Sequence, residues 1–253
     1  EQLIVDAYRD YLELAEDYLA RARTTLAIIT DMGMATVAFR MLIERFMKHA
    51  ERQIDQIRRR VLNDEKIPHA EKVFSIFEEH TEWISKGKAG VPQELGLKVC
   101  VLEDQYGFIL HHHIMEHQTD DQVAVLMVDG AKERHPRLNA CSFDKGFHSP
   151  SNQERLGRRL DRVVLPKKGK LSKSRKQVER SEPFLTARRK HAAVESAINA
   201  LENHGLDRCP DHGLYGFKRY VALAVLSRNI QIMGAAIREK SLKRLRREAR
   251  LAA

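Results

Sequence analysis

The chain has 253 residues, 43% hydrophobic and 31% charged, which is globular composition and long enough for one large domain or two small ones. Lys plus Arg outnumber Asp plus Glu by 44 to 35, a net charge of +9, so the expected partners are polyanions, nucleic acid before an anionic membrane surface. Three cysteines without repeated spacing argue against a disulfide framework and for a reducing, cytoplasmic setting, and the longest unbroken apolar run, Tyr220 to Leu226, predicts no membrane span.

Residues 1–30 carry Ile4, Tyr8, Tyr11, Ala15, Tyr18, Leu19, Ala22 and Leu26 at steps of three and four, the apolar face of an amphipathic helix. Phe39, Leu42, Phe46, Ala50, Ile54, Ile57 and Val61 make a second stripe over 35–62. Gly33 lies between the stripes, which predicts an antiparallel helical hairpin. Glu1 falls inside the first helical pattern, and with no initiating Met this reads as a fragment of a longer chain. Val73 to Phe77 reads as a strand. Leu95, Leu97, Val99 and Val101 alternate with Gly96, Lys98 and Cys100 as a second one. Asp104-Gln105-Tyr106-Gly107 is turn chemistry, and Phe108 to Met115 returns as a strand. A helix follows over 121–134, then a strand over 138–143 ending at Asp144. Ser149-Pro150 is an N-cap with proline at the first helical position, and 162–166 reads as a last short strand.

The composition then shifts. From Arg155 to Lys190 there are fourteen Lys or Arg against three acids, and 166–182 has the makeup of a mobile basic loop. Helical periodicity resumes at Phe184, Ala187, Val194, Ile198 and Leu201. A connection rich in Gly, Pro and His leads to a final helix from Phe217 and a basic tail.

Few residues have the setting that chemistry needs. Asp144 closes an apolar strand, where ligands of open sheets collect, so its carboxylate is a candidate metal ligand. Glu195 lies on a polar helical stripe with Arg188, His191, Asn199 and Glu202, crowded by alanines. His111-His112-His113 alternates across a strand without further ligands, and Cys209-Pro-Asp-His212 is a single ligand pair, so neither reads as a zinc site. Lys86-Gly87-Lys88 lacks the remaining glycine and hydroxyl of a phosphate loop.

Several stretches stand out together: Lys72-Val-Phe-Ser-Ile-Phe-Glu-Glu-His-Thr-Glu-Trp83, Glu94-Leu-Gly-Leu97, Ser142-Phe-Asp-Lys-Gly-Phe-His-Ser149, Val164-Leu-Pro-Lys-Lys-Gly169, His191-Ala-Ala-Val-Glu-Ser-Ala-Ile198 and Gly205-Leu-Asp-Arg-Cys-Pro-Asp-His-Gly213. Over roughly 1–235 the chain resembles the DDE transposases of bacterial insertion sequences, most closely an ISNCY-type group. Asp144 matches the family's second acid and Glu195 its third, 51 residues later. The resemblance implies a mixed α/β fold, an RNase H-like mixed sheet with flanking helices, preceded by the amphipathic helical hairpin. Its segments would be a hairpin region 1–66, a catalytic domain 67–235 and a basic helical tail 236–253. It further implies Mg²⁺ (or Mn²⁺) held by Asp144 and Glu195 and in-line attack on a phosphodiester.

Two departures from the family stand in this sequence. Arg188, His191 and Glu202 occupy places where related transposases often carry Tyr, Arg and Lys, so phosphate grip would fall to Arg188, Arg189 or Lys190. The family's first acid lies in a strand ahead of the hairpin, and Glu78 is the substitute available within the chain. The implied function is a transposase, or its carboxy-terminal part, that binds element ends as a homo-oligomer on double-stranded DNA without membrane contact. Its DNA contacts would come from Lys167, Lys168, Lys170, Lys173, Arg175 and Lys176, with Arg188, Arg189 and His191 near the site. The alternative is a non-catalytic nucleic-acid-binding protein or an inactive transposase remnant.

Overall fold

The computed structural model describes residues 2–29, 33–85, 93–191 and 193–252, with the side chains at 193, 195 and 252 outside that description. The chain divides into two compact units, Glu1–Gly96 and Leu97–Ala253.

The first unit is built on two long helices, α1 (Gln2–Ile28) and α2 (Met34–Ile57), the second running into a wider turn over Arg58–Leu62. Leu12, Leu19 and Leu26, one every seven residues, are the buried positions of α1, and Leu12 and Leu19 pack with Ile54. Each such leucine contributes about 2 kcal/mol by leaving water. Ion pairs from Arg58 to Glu16 and from Arg23 to Glu51 show the helices running in opposite directions. A short antiparallel pair, β1 (Glu82–Ser85) with β2 (Gln93–Gly96), completes the unit.

Val73 to Phe77 is not a strand, contrary to its apolar pattern. The Gln56 side chain takes both backbone groups of Val73, accepting from its N–H at 2.8 Å and donating to its carbonyl at 3.4 Å. Phe77 meets Phe46 edge-on at 5.1 Å and Phe74 lies against Trp83. The apolar residues of this stretch therefore serve side-chain packing while its backbone is committed to α2.

The second unit opens with the hairpin β3 (Lys98–Glu103) and β4 (Ile109–Met115), joined through the Asp104 turn. Asp104 Oδ1 accepts from the N–H groups of Tyr106 and Phe108, and Gly107 supplies the positive φ of 89°. After it come α3 (Asp120–Arg134), β5 (Ala140–Ser142), α4 (Pro150–Gly157), β6 (Arg162–Val164), α5 (Lys173–Glu179), α6 (Glu182–His191), α7 (Ala193–Leu201) and α8 (Gly213–Ala252). Strands β5 and β6 pair in parallel.

The expected RNase H-like mixed sheet is not formed. The strands of the described residues make three separate two-stranded pieces, β1–β2, β3–β4 and β5–β6, among a majority of helix. The reason is visible in how the alternating residues are used. Cys100, Leu102 and Met115 pack with α3 in the main core, whereas Leu97, Val99 and Ile114 pack with Val221 of α8. A hairpin clad on both faces by helices buries its apolar side chains without further strands. Alternation specifies two faces, and it leaves the number of strands open.

The basic stretch after Pro166 also differs from expectation, since its second half is the helix α5. Ser172 caps it, accepting from the Arg175 N–H at 3.2 Å. Arg175 donates to Glu179 Oε1 at 2.8 Å and to the Leu165 carbonyl, and Glu179 also accepts from the Lys167 N–H.

The last helix, α8, is 40 residues long. It is also long and apolar enough to cross a membrane by length and composition, where the unbroken apolar run had indicated no such helix. Its first half packs on β3–β4 through Phe217, Val221 and Val225, while from Met233 onward every side chain described is exposed.

Candidate functional site

Asp144 lies just beyond β5 and opens a single 3-10 turn, Lys145–Phe147. The Phe143 N–H donates to the Val164 carbonyl at 2.9 Å, so the β5–β6 pairing extends to the residue before Asp144. The carboxylate is 74% exposed. His191, the last residue of α6, stands behind it: its Nε2 is 3.4 Å from Asp144 Oδ1 and its Nδ1 is 3.0 Å from Ser142 Oγ. Both ring nitrogens are thus engaged, one by a strand hydroxyl and the other by the acid. Helix α6 packs on both β5 and β6, which sets the histidine in place.

The loop carrying Asp144 is tied down from its other side. Asn152 is buried, and its Nδ2 donates to the Phe147 carbonyl at 2.9 Å and to the Asp121 carbonyl at 2.6 Å. Ser149 caps α4 as its sequence indicates, accepting from the Asn152 N–H. Gly146 lies against Asp120, in the first turn of α3, so closely that a Cβ at 146 would overlap the Asp120 carboxylate. Asp120 is the first residue of α3, one ahead of the helical start at 121 that the sequence suggested. The available signal was Thr119 three residues before Gln122, whose side chain caps the Thr119 N–H at 2.8 Å and marks where α3 begins.

The Glu195 side chain lies outside the described residues, although its backbone belongs to α7. Glu78 does not end a strand. It sits in the irregular stretch before β1, its N–H bonded to Ser75 Oγ and its carboxylate 3.6 Å from His80. Asp144 offers the hard oxygen donors that suit a divalent cation. Among the described residues no three His, Cys, Asp or Glu side chains converge on one point, so these alone do not complete a two-metal centre.

The expected phosphate-binding residues divide into two kinds. Lys168, Lys170, Lys173, Lys176, Arg188, Arg189 and Lys190 are exposed. Lys167 is half-buried, and Arg175, bound to Glu179 and lying over the Phe184 ring at 5.9 Å, is part of the packing. His191 is occupied by Ser142 and Asp144.

The other clusters resolve into structure. Burial, reinforced by Arg134, pushes the His111 and His112 imidazoles below their ordinary pKa, and His113 bonds Gln118 at 2.7 Å. Cys209 and His212 belong to a turn organised by Asp211, which accepts from the His212 N–H and pairs with Arg219. Lys86-Gly87-Lys88 falls outside the described residues. Compared with known protein families, with curated proteins and with solved structures, the chain matches none.

Proposed function

We propose that the chain belongs to a DNA strand-transfer enzyme of the transposase kind, binding duplex DNA through its basic helices and using Asp144 and Glu195 as reaction-centre carboxylates. One observation carries this reading. The exposed Asp144 carboxylate is backed by His191, and the three residues before that histidine, Arg188, Arg189 and Lys190, are exposed cations. Of the three, Arg188 lies about 60° around α6 from His191, whereas Arg189 lies on the far side and pairs with Glu182 at 3.7 Å. It is therefore a phosphate drawn to Arg188 that comes to the face of α6 holding the acid. Mg²⁺ or Mn²⁺, held by Asp144 and Glu195, would supply Lewis acidity to the phosphodiester. The chain's own part is positional: Ser142 orients His191, His191 restrains one oxygen of Asp144, and Asn152 stiffens the loop that carries the acid.

A second reading is duplex binding without catalysis, for which the exposed Lys168, Lys170, Lys173 and Lys176 after Pro166 suffice by themselves. Manganese titration followed by electron spin resonance separates the two. If Asp144→Ala with Glu195→Ala leaves Mn²⁺ binding unchanged while duplex binding persists, the catalytic reading is lost and the second stands. Failure to bind any duplex at low salt removes both.

A further inference from the structure

The face of α8 turned away from the hairpin carries an apolar seam. Leu223, Leu226, Ile230, Met233 and Ile237 follow one another at steps of three, four, three and four, each between 50% and 59% exposed. That mean period of 3.5 is the one at which a second helix keeps contact as it winds. At 100° per residue the seam lies far around the helix from Val221 and Val225, which are spent on the strands.

The flanks fit a helical partner. Ala222, Ser227, Asn229, Gly234 and Ala236 border the seam; none is charged and all but Asn229 are small, so two backbones can approach closely with no charge buried. Roughly 100 Å² remains open on each of the five large side chains, which is about 1,000 Å² across a pair, the lower edge of specific interfaces. Orientation follows from charge. Beyond Ile237 come Arg238, Lys240, Lys243, Arg244, Arg246, Arg247 and Arg250 against only Glu239 and Glu248. A parallel pair would set these tails side by side, whereas an antiparallel pair sends them to opposite ends.

A lipid bilayer suits the same helix less well. Its packed face carries Arg228 and Asn229, and Asn229 is bonded to both backbone groups of Ile109, while Lys218 pairs with Glu116 at 2.6 Å. Insertion would have to break all of these contacts.

We propose that the chain self-associates through the Leu223–Ile237 seam of α8, as an antiparallel helix pair with a second copy of itself. This rests on no assumption about catalysis.

The test uses the full chain with Cys209→Ser. Burial pushes the Cys100 and Cys141 thiols up to about 12, so they stay out of the chemistry. Leu223→Cys and Ile237→Cys are treated with a short bismaleimide, singly and mixed. In an antiparallel pair the two ends of one seam lie about 21 Å apart, at 1.5 Å per residue. Cross-linking is therefore expected in the mixture and not in either variant alone. In sedimentation equilibrium, Ile230→Glu with Met233→Glu should weaken the dimer at least about a hundredfold. Gln231→Glu, off the seam, should leave it intact, with equal helicity by circular dichroism in all three proteins. Cross-linking of each variant alone overturns the orientation. A wild-type monomer at every concentration overturns the proposal, whether or not it binds vesicles of equal phosphatidylcholine and phosphatidylserine; seam-dependent binding to those vesicles would assign the face to membrane.

Discussion

Asn229 and Ile109 are joined by two hydrogen bonds at once: the Asn229 Oδ1 accepts from the Ile109 N–H at 2.9 Å and its Nδ2 donates to the Ile109 carbonyl at 3.0 Å. One side chain of α8 thereby completes a backbone position of β4 that follows the turn and has its own side chain buried. Asn229→Ala leaves both backbone groups without a partner, and the expected loss is about 2–4 kcal/mol. Urea unfolding measures it. Asn229→Asp keeps the acceptor and sets a carboxylate against the carbonyl, so it should be no milder than the alanine.

Gly146 and Asp120 make a second testable contact. Gly146→Ala sets a methyl group against the Asp120 carboxylate, the movable end of a half-exposed side chain, at an expected cost of about 1 kcal/mol or less. Asp120→Ala removes the obstacle, so in a double-mutant cycle the second change should recover most of the loss. Additive losses would show that the loop after Asp144 meets its limit elsewhere.

The pair His111 and His112 gives stability a pH dependence. Burial holds both imidazoles below their ordinary pKa, so the folded state binds fewer protons than the unfolded one near that value. Their contribution is complete above the unfolded pKa of about 6.5 and is lost as pH falls through it towards the lowered folded values. The slope is at most about 1.4 kcal/mol per pH unit for each, less for screening by solvent. Thermal melts between neutral and mildly acidic pH should flatten in His111→Gln with His112→Gln. An identical slope in the double variant would place the titration elsewhere.

Glu103 acts in the opposite sense. Its carboxyl is raised chiefly by burial, against the pull of Arg228. Stability from its neutral form is full below the ordinary carboxylate range and lost as pH rises through the raised value. Glu103→Gln should therefore stabilise the protein at neutral pH and lose that advantage in acid. Chemical denaturation at two pH values decides it.

The basic residues after Pro166 separate by role. Changing Lys168, Lys170, Lys173 and Lys176 to Ala should flatten the salt dependence of duplex binding, by about 2.7 in slope if three of the four meet phosphate. Arg175→Ala should act on stability instead, by about 1–3 kcal/mol, because Glu179 and the Leu165 carbonyl lose their donor. Affinity at several salt concentrations and a melting curve distinguish the two effects.

Legibility in the sequence followed the range of the interactions involved. The helical repeat is local, so α1 as a helix and Leu19 and Leu26 as buried positions were legible, and Ser149-Pro150 announces α4 for the same reason. The buried line itself runs through Leu12, which the expected face left out, while Ile4, Tyr8, Tyr11 and Tyr18, placed on that face, are exposed. Asp144 at a strand end was legible too. The fate of Val73 was not, because the competing partner, Gln56, is 17 residues away and polar. Nor was α5, whose order depends on Arg175 reaching back to Leu165 and forward to Glu179 in a stretch that composition alone reads as loop. The RNase H-like sheet failed as an expectation because apolar alternation is equally served by two covering helices.

Asn152 couples the Asp144 loop to the start of α3, and α3 supplies Val123, Ala124, Val128 and Ala131 to the main core with none of their surface left open. Hydrogen exchange should therefore find the amides of Phe143 and Phe147 opening together with those of α3. A ligand reaching Asp144 meets a loop already arranged by the interior, so binding should bring little ordering entropy with it, and the on-rate should be governed by charge and diffusion.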